Sequence, residues 1–213
     1  MTEPWIEVLL EGASDEPVLR HVLGRHFGLE EERHFRLHAH QGKGVLDPNP
    51  VARPQPHRRG LLHQLPAKLR GFGKSLPEHA LVLVVIDVDD EDCRDLLRRL
   101  LVLWQAIEPR PRVLFRLAIE ETESWFLAEP AAVSRAFPKA DTRAIQRVRV
   151  DDVVGAWERL AEALNINVRH VTGRDKYRWA EAIAPHLTLN PPLSPSLGKL
   201  TAGVRRYLDD FSA

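Results

Sequence analysis

The segment LVLVVIDVDDEDC, residues 81–93, joins six consecutive aliphatic residues to a cluster of carboxylates. Such a β-branched run belongs in a buried strand, whereas carboxylates are costly to bury without a partner. A parallel sheet relieves the conflict. Its strands are covered on both faces, and their carboxyl ends open onto the loops where ligands gather. The chain is therefore constrained to bring these acids out at a sheet edge, where they could surround a metal ion.

The neighbouring segments fit that requirement. WIEVLL, residues 5–10, reads as a first strand that reaches EG and then a helix, with Ser14 as its N-cap and Val18, Leu19, Val22, Leu23 and Phe27 at helical spacing. HFRLHAH alternates Phe35, Leu37 and Ala39 with polar residues, the period of a half-buried strand. Residues 41–60 carry repeated proline and glycine and should form a long loop, followed by a helix over 61–72. After the strand over 81–86, EDCRDLLRRLLVLWQAI is amphipathic, with Leu96, Leu97, Leu100, Leu101, Leu103 and Trp104 on its apolar side. Residues 112–119 read as another strand, running through acids into a short helix with Trp125 and Phe126.

Strands alternating with helices predict an α/β fold with a mainly parallel sheet flanked by helices. Residues 1–130 should form this core. Residues 131–213 should form a helical extension packed on it, with helices near 152–164, 175–186 and 197–211. No internal repeat or low-complexity tract interrupts the pattern.

Three segments place acids where parallel strands end: Glu11 after EVLL, Asp87 and Asp89 in VVIDVDD, and Glu121 and Glu123 after FRLAI. Strand alternation would put Asp87 and Asp89 on one face and turn Val88 into the core. Oxygen-only ligands of this kind suit Mg²⁺ or Mn²⁺ better than zinc. Asp90, Glu91 and Asp92 open a helix and read as capping acids.

VLLEGASDEPVL, VVIDVDD and AIEETESWFLAEP resemble the glutamate motif, the aspartate-x-aspartate motif and the third acidic motif of Toprim domains. They look most like a bacterial Toprim-like family related to the OLD nucleases. The similarity extends to HQGKGVL, GRDKYRWAEAIAPHL and SPSLGKLTAGVRRYL, and so over nearly the whole chain. The resemblance makes Glu11 the Toprim glutamate and Asp87 and Asp89 the aspartate pair. It sets Asp15 where related nucleases more often carry a second glutamate, and matches Glu123 to an acid-then-tryptophan signature, with Glu121 secondary. Lys43 in QGKG, and Arg174 and Lys176 in GRDKYR, would meet phosphate. The expected activity is metal-dependent phosphodiester hydrolysis on DNA or RNA, in a defence or repair setting, with a possible partner ATPase.

Other readings have their own residues. A noncatalytic module could hold metal and phosphate in the same pocket, and a phosphotransferase acting on nucleotides is compatible with it. A topoisomerase would need Tyr177 or Tyr207 as nucleophile, and both fall in helical patterns. QGKG lacks the spacing of a Walker loop. His38 and His40 share a strand face and could bind zinc, while RPQPHRRG could grip a phosphate backbone. Trp104, Trp125, Trp157 and Trp179 lie in helical patterns and are expected to pack rather than stack on bases.

Composition narrows the partners. The 213 residues hold 30 basic and 30 acidic side chains, so no protein-wide positive field draws in nucleic acid, and an anionic partner must meet a local patch. The single cysteine excludes an intrachain disulfide. The start MTEPWIEVLLEG lacks signal-peptide character, and no apolar run is long enough to span a bilayer, which predicts a cytoplasmic protein without a membrane span.

Overall fold

The structure is a computed structural model that describes residues 3–51, 53, 55–89, 91–119, 121–146 and 155–211. Four strands form its sheet: β1 (Ile6–Leu10), β2 (Phe35–Ala39), β3 (Leu81–Asp87) and β4 (Arg112–Ala118). Their order is β2-β1-β3-β4, and every neighbouring pair is parallel. The α/β, parallel expectation is met, and the arrangement is consistent with a Toprim-like fold.

Helices cover both faces. α1 (Glu16–Arg20) continues into a π-helical turn, His21–His26, and α2 (Leu61–Ser75) and α3 (Cys93–Gln105) follow the second and third strands. After β4 come α4 (Glu123–Leu127), α5 (Pro130–Ala136), α6 (Ala156–Ala163), α7 (Gly173–Ile183) and α8 (Pro195–Asp209). α2 and α3 pack on the face carrying Leu9, Val82, Val84 and Ile86. α1 and α4 to α8 pack on the face carrying Val8, Leu10, Leu83 and Val85. β3 can be apolar at consecutive positions because both of its faces are buried. Each such side chain contributes roughly 1.5–3 kcal/mol by leaving water.

The helices stop and start for local reasons. Asp92 caps α3 by accepting from the N–H groups of Arg94 at 2.9 Å and Asp95 at 2.8 Å, as its position suggested. Asp90 lies outside the described residues, as do residues 152–154 at the start of the helix expected near 152–164. Thr172 and Asp175 form a reciprocal capping box that fixes the first turn of α7. α8 is tied to the entry of β1 through Tyr207, whose hydroxyl accepts from Trp5 N and donates to Trp5 O, both at 3.0 Å.

Ser14 does not cap the first helix. It lies inside a 3₁₀ turn, Ala13–Asp15, and Asp15 takes the N-cap position of α1 while its carboxylate accepts from Gly12 N at 3.1 Å. Asp15 fills the N-cap position through its backbone, and its side chain bonds back to Gly12 N without capping an N–H of α1. The tryptophan reading holds for Trp125 and Trp179, both in the core. Among the described residues, no helix is long and apolar enough to cross a membrane.

Candidate active site

The parallel register brings the ends of β1, β3 and β4 to one side of the sheet, with Asp87 opposite Ala118. Glu11 leaves β1 with only 9% of its surface exposed, and its Oε1 accepts from the Asp87 backbone N–H at 2.9 Å. Asp87 closes β3 on the same face as Leu83 and Val85. Asp15 is buried beneath them and accepts from Thr122 Oγ1 at 2.7 Å, which links the turn after β1 to the start of α4. Glu123, also buried, stands next to Thr122. Glu11, Asp15, Asp87 and Glu123 are thus gathered from three strand ends.

Two lysines bound this cluster. Lys176, on α7, lies 3.4 Å from Glu123 Oε1 and 3.5 Å from Glu121 Oε1, with its ammonium 4.9 Å from the centre of the Trp157 ring. Glu121 also accepts from Trp157 N at 3.2 Å. Lys43 lies on the other side, 3.0 Å from both Asp89 and Glu91 and donating to Val88 O at 2.9 Å. Gly42 and Gly44 flank it at φ +83° and +71°, a backbone that a residue with a Cβ adopts only under strain. The intervening carbonyls of Gly42 and Lys43 accept from Leu61 N and Leu62 N, pinning the lysine loop to the start of α2.

Asp89 departs from the alternation expected of it. β3 ends at Asp87, and Asp89 adopts a left-handed φ of 51°, so its carboxylate turns out to Lys43 instead of standing beside Asp87. Val88 is buried as expected. Arg174 is exposed on the first turn of α7 and, among the described residues, pairs with none of the acids.

The clustered acids cannot all hold charge easily. Burial, opposed by the Asp87 N–H and Lys43 and reinforced by Asp15 and Asp89, pushes Glu11 up to about 8. Burial and Glu123 push Asp15 up to about 6 against its hydrogen bonds from Thr122 and Gly12. Asp87 retains partial solvent exposure, yet desolvation and the charges of Asp15, Glu11 and Glu123 raise it well above the carboxylate range. Lys176 is destabilised as a cation by burial, but Glu123 and Glu121 outweigh this and raise its pKa. Lys43 behaves likewise, with burial overcome by Asp89 and Glu91. The recess therefore carries negative charge that protons share and that an added cation would compensate.

Among the described residues, no group of three or more His, Cys, Asp or Glu side chains is arranged as a finished metal cage. One oxygen of Glu11 and both oxygens of Asp15 already serve hydrogen bonds. The donor set nevertheless fits a hard divalent cation in kind: it is all oxygen, largely desolvated and under-neutralised.

A second polar pair went unnoticed in the sequence. Glu7, on β1, is buried and bonds Trp5 Nε1 at 3.0 Å and His38 Nε2 at 2.5 Å. His40 instead directs Nδ1 to Leu10 O at 2.7 Å. The signal was a lone glutamate inside an aliphatic strand, but its partner is legible only once the register sets Leu9 against His38. Tyr207 is committed to Trp5, and Tyr177 lies on α7 beside Pro17 and Arg20. Compared with family models, with curated proteins and with solved structures, the chain matches none.

Proposed function

We propose that this protein is a divalent-metal-dependent phosphodiesterase acting on nucleic acid, a nuclease of the Toprim type. One observation carries the reading: acids from the ends of β1, β3 and β4 converge in one desolvated recess, with Glu11 bonded directly to the backbone of Asp87. Glu11, Asp87 and Asp89 would hold a first Mg²⁺ or Mn²⁺, and Asp15 and Glu123 a second. Such an ion, when bound, polarises a phosphodiester and lowers the pKa of coordinated water.

The chain's own groups do the rest. Asp89 would have to leave Lys43 to join Glu11 and Asp87, and the Lys43 ammonium, still held by Glu91 and Val88 O, would then have a donor to turn to a phosphate oxygen and its transition-state charge. Lys176 lies against Glu121 and Glu123 and offsets part of the negative charge of the recess. Arg174, exposed at the rim of α7, would meet the backbone of the substrate. A cytoplasmic location and a partner ATPase belong to the same proposal.

A second reading has its own support. The engagement of both Asp15 oxygens by Gly12 and Thr122 favours a module that holds one cation and phosphate without cleavage. Incubating the purified protein with circular DNA, linear DNA and transfer RNA, in Mg²⁺, Mn²⁺ or EDTA, separates the two. Metal-dependent cleavage of any substrate supports the nuclease; binding without cleavage supports the module.

A further inference from the structure

β4 is an edge strand, and α3 and α8 straddle its outer side around a recess of about 250 Å³. Arg94 of α3, Arg116 of β4 and Lys199 of α8 bring cations to it, beside Phe115, Leu117 and Ile119. Arg116 is held without a counter-charge: its Nε donates to Lys199 O at 2.8 Å and one terminal nitrogen to Phe115 O at 2.7 Å. Among the described residues, Arg94, Arg116, Lys199 and Arg206 form no ion pair with a carboxylate. Burial and the nearby Arg206 depress the Arg116 pKa, the reverse of what an acidic partner would do.

The backbone of α8 accommodates this guanidinium. A Cβ at Gly203 would lie 2.2 Å from Arg116 Nη2, so no side chain fits there while the arginine keeps its place. Glycine inside a helix costs about 1 kcal/mol relative to alanine. α8 tolerates that cost at an interior position, and the result is a half-buried cation, seated by two backbone carbonyls, beside two exposed ones. The recess also adjoins the acid cluster: Ile119 follows Ala118, the register partner of Asp87, and Ser196 at its wall accepts from Trp125 Nε1 at 2.9 Å, two residues beyond Glu123.

We propose that this recess is a phosphate-binding groove that seats the backbone of a nucleic-acid strand beside the acid cluster, with one phosphate on Arg116 and its neighbours on Arg94 and Lys199. The identity of the ligand rests on the nuclease reading; the groove itself rests on the unneutralised cations. Arg116 supplies a planar fork suited to a phosphate, and Arg94 and Lys199 supply exposed charge on either side.

Binding of a labelled single-stranded oligonucleotide, read by fluorescence anisotropy in EDTA, tests the groove without chemistry. Arg94→Met, Lys199→Met and Arg116→Met should each weaken binding about threefold to tenfold at low salt and reduce the slope of log K against log salt by about 0.7. Gly203→Ala should do the same by displacing the guanidinium while leaving every charge in place. Thermal midpoints establish that Arg116→Met and Gly203→Ala are folded; Arg94 and Lys199 are exposed, so their variants decide the matter regardless. Wild-type affinity in the Arg94 and Lys199 variants, an equal loss in the remote control Arg33→Met, or no binding by the wild type overturns the groove. Groove-sensitive binding by a wild type that cleaves nothing in Mn²⁺ supports the groove and rejects only the nuclease reading. Cleavage by a wild type whose groove variants bind normally rejects only the groove.

Discussion

The backbone N–H of Asp87 donates to Glu11 Oε1 at 2.9 Å, joining the carboxyl ends of β1 and β3 through an acid side chain. The bond aims Glu11 across the sheet toward Asp87 and away from solvent. Glutamine preserves an acceptor at this position but not the charge. Glu11→Gln should therefore fold and, above neutral pH without metal, exceed the wild type in stability by a few kcal/mol at most, because it removes the cost of ionising a desolvated carboxyl. Chemical denaturation in EDTA reads the stability. Metal-dependent cleavage should fall to background, and a fully active variant would remove Glu11 from the site.

The raised acids make a signed prediction for pH. In the unfolded chain Glu11 loses its proton near its ordinary value of 4.5, whereas in the fold it keeps it to about 8. Between those values the native state binds more protons, so stability falls as pH rises. The contribution is complete below 4.5 and lost through about 8, and Asp15 adds the same sign between 3.8 and about 6. The thermal midpoint in EDTA should thus drop from pH 6 to pH 8.5 more steeply for the wild type than for Glu11→Gln. Millimolar Mn²⁺ should flatten the profile by binding the native state. A wild-type profile parallel to that of the variant would contradict the shift.

Lys176 gives a converse test. Lys176→Met removes the cation that lies against Glu121 and Glu123 and leaves a buried carboxylate uncompensated. Unpaired buried charge is strongly destabilising, and with partial solvent access the cost here should be about 1–3 kcal/mol at pH 8. The deficit should shrink at pH 5, where Asp15, whose carboxyl keeps its proton up to about 6, no longer adds negative charge near Lys176. A pH-independent deficit would assign Lys176 to packing on Trp157 alone.

Tyr207 separates structure from chemistry. Tyr207→Phe breaks both hydrogen bonds to the Trp5 backbone and should cost about 1–2 kcal/mol. Cleavage rates measured below the unfolding transition should not change. A loss of activity beyond the loss of folded protein would revive a tyrosine nucleophile.

The acids at the ends of the strands were readable because apolar runs stop in carboxylates, and a parallel sheet gives such residues one place to meet. Asp87 and Val88 follow this logic. Asp89 does not, because alternation holds only while the backbone stays extended, and the chain leaves the strand after Asp87 into a left-handed turn stabilised by Lys43. The Ser14 cap failed because the chain makes a 3₁₀ turn over Ala13–Asp15 first, so α1 begins one residue later than the spacing suggests. The partners of Glu7 and Arg116 depend on strand register and on the fit of α8 over β4, neither of which is written in local sequence.

Asp15 decides how many cations the recess can use. Its two oxygens accept from Gly12 N and Thr122 Oγ1, so it is positioned by the turn after β1 and by α4 at once. An asparagine can keep only one of these bonds without turning an amide N–H toward a donor, so Asp15→Asn should lose about 1–2 kcal/mol of stability at acid pH. That deficit should shrink toward neutral pH, because the variant no longer has to ionise a carboxyl that holds its proton up to about 6. If Asp15 holds a second Mn²⁺, calorimetric titration should find two ions in the wild type and one in the variant, and cleavage should fall at least about a hundredfold. If Asp15 only braces the turn, both proteins should bind one ion and the variant should keep most activity below its unfolding transition. The two outcomes differ in stoichiometry as well as rate, so a merely destabilised variant cannot be mistaken for one that has lost a cation.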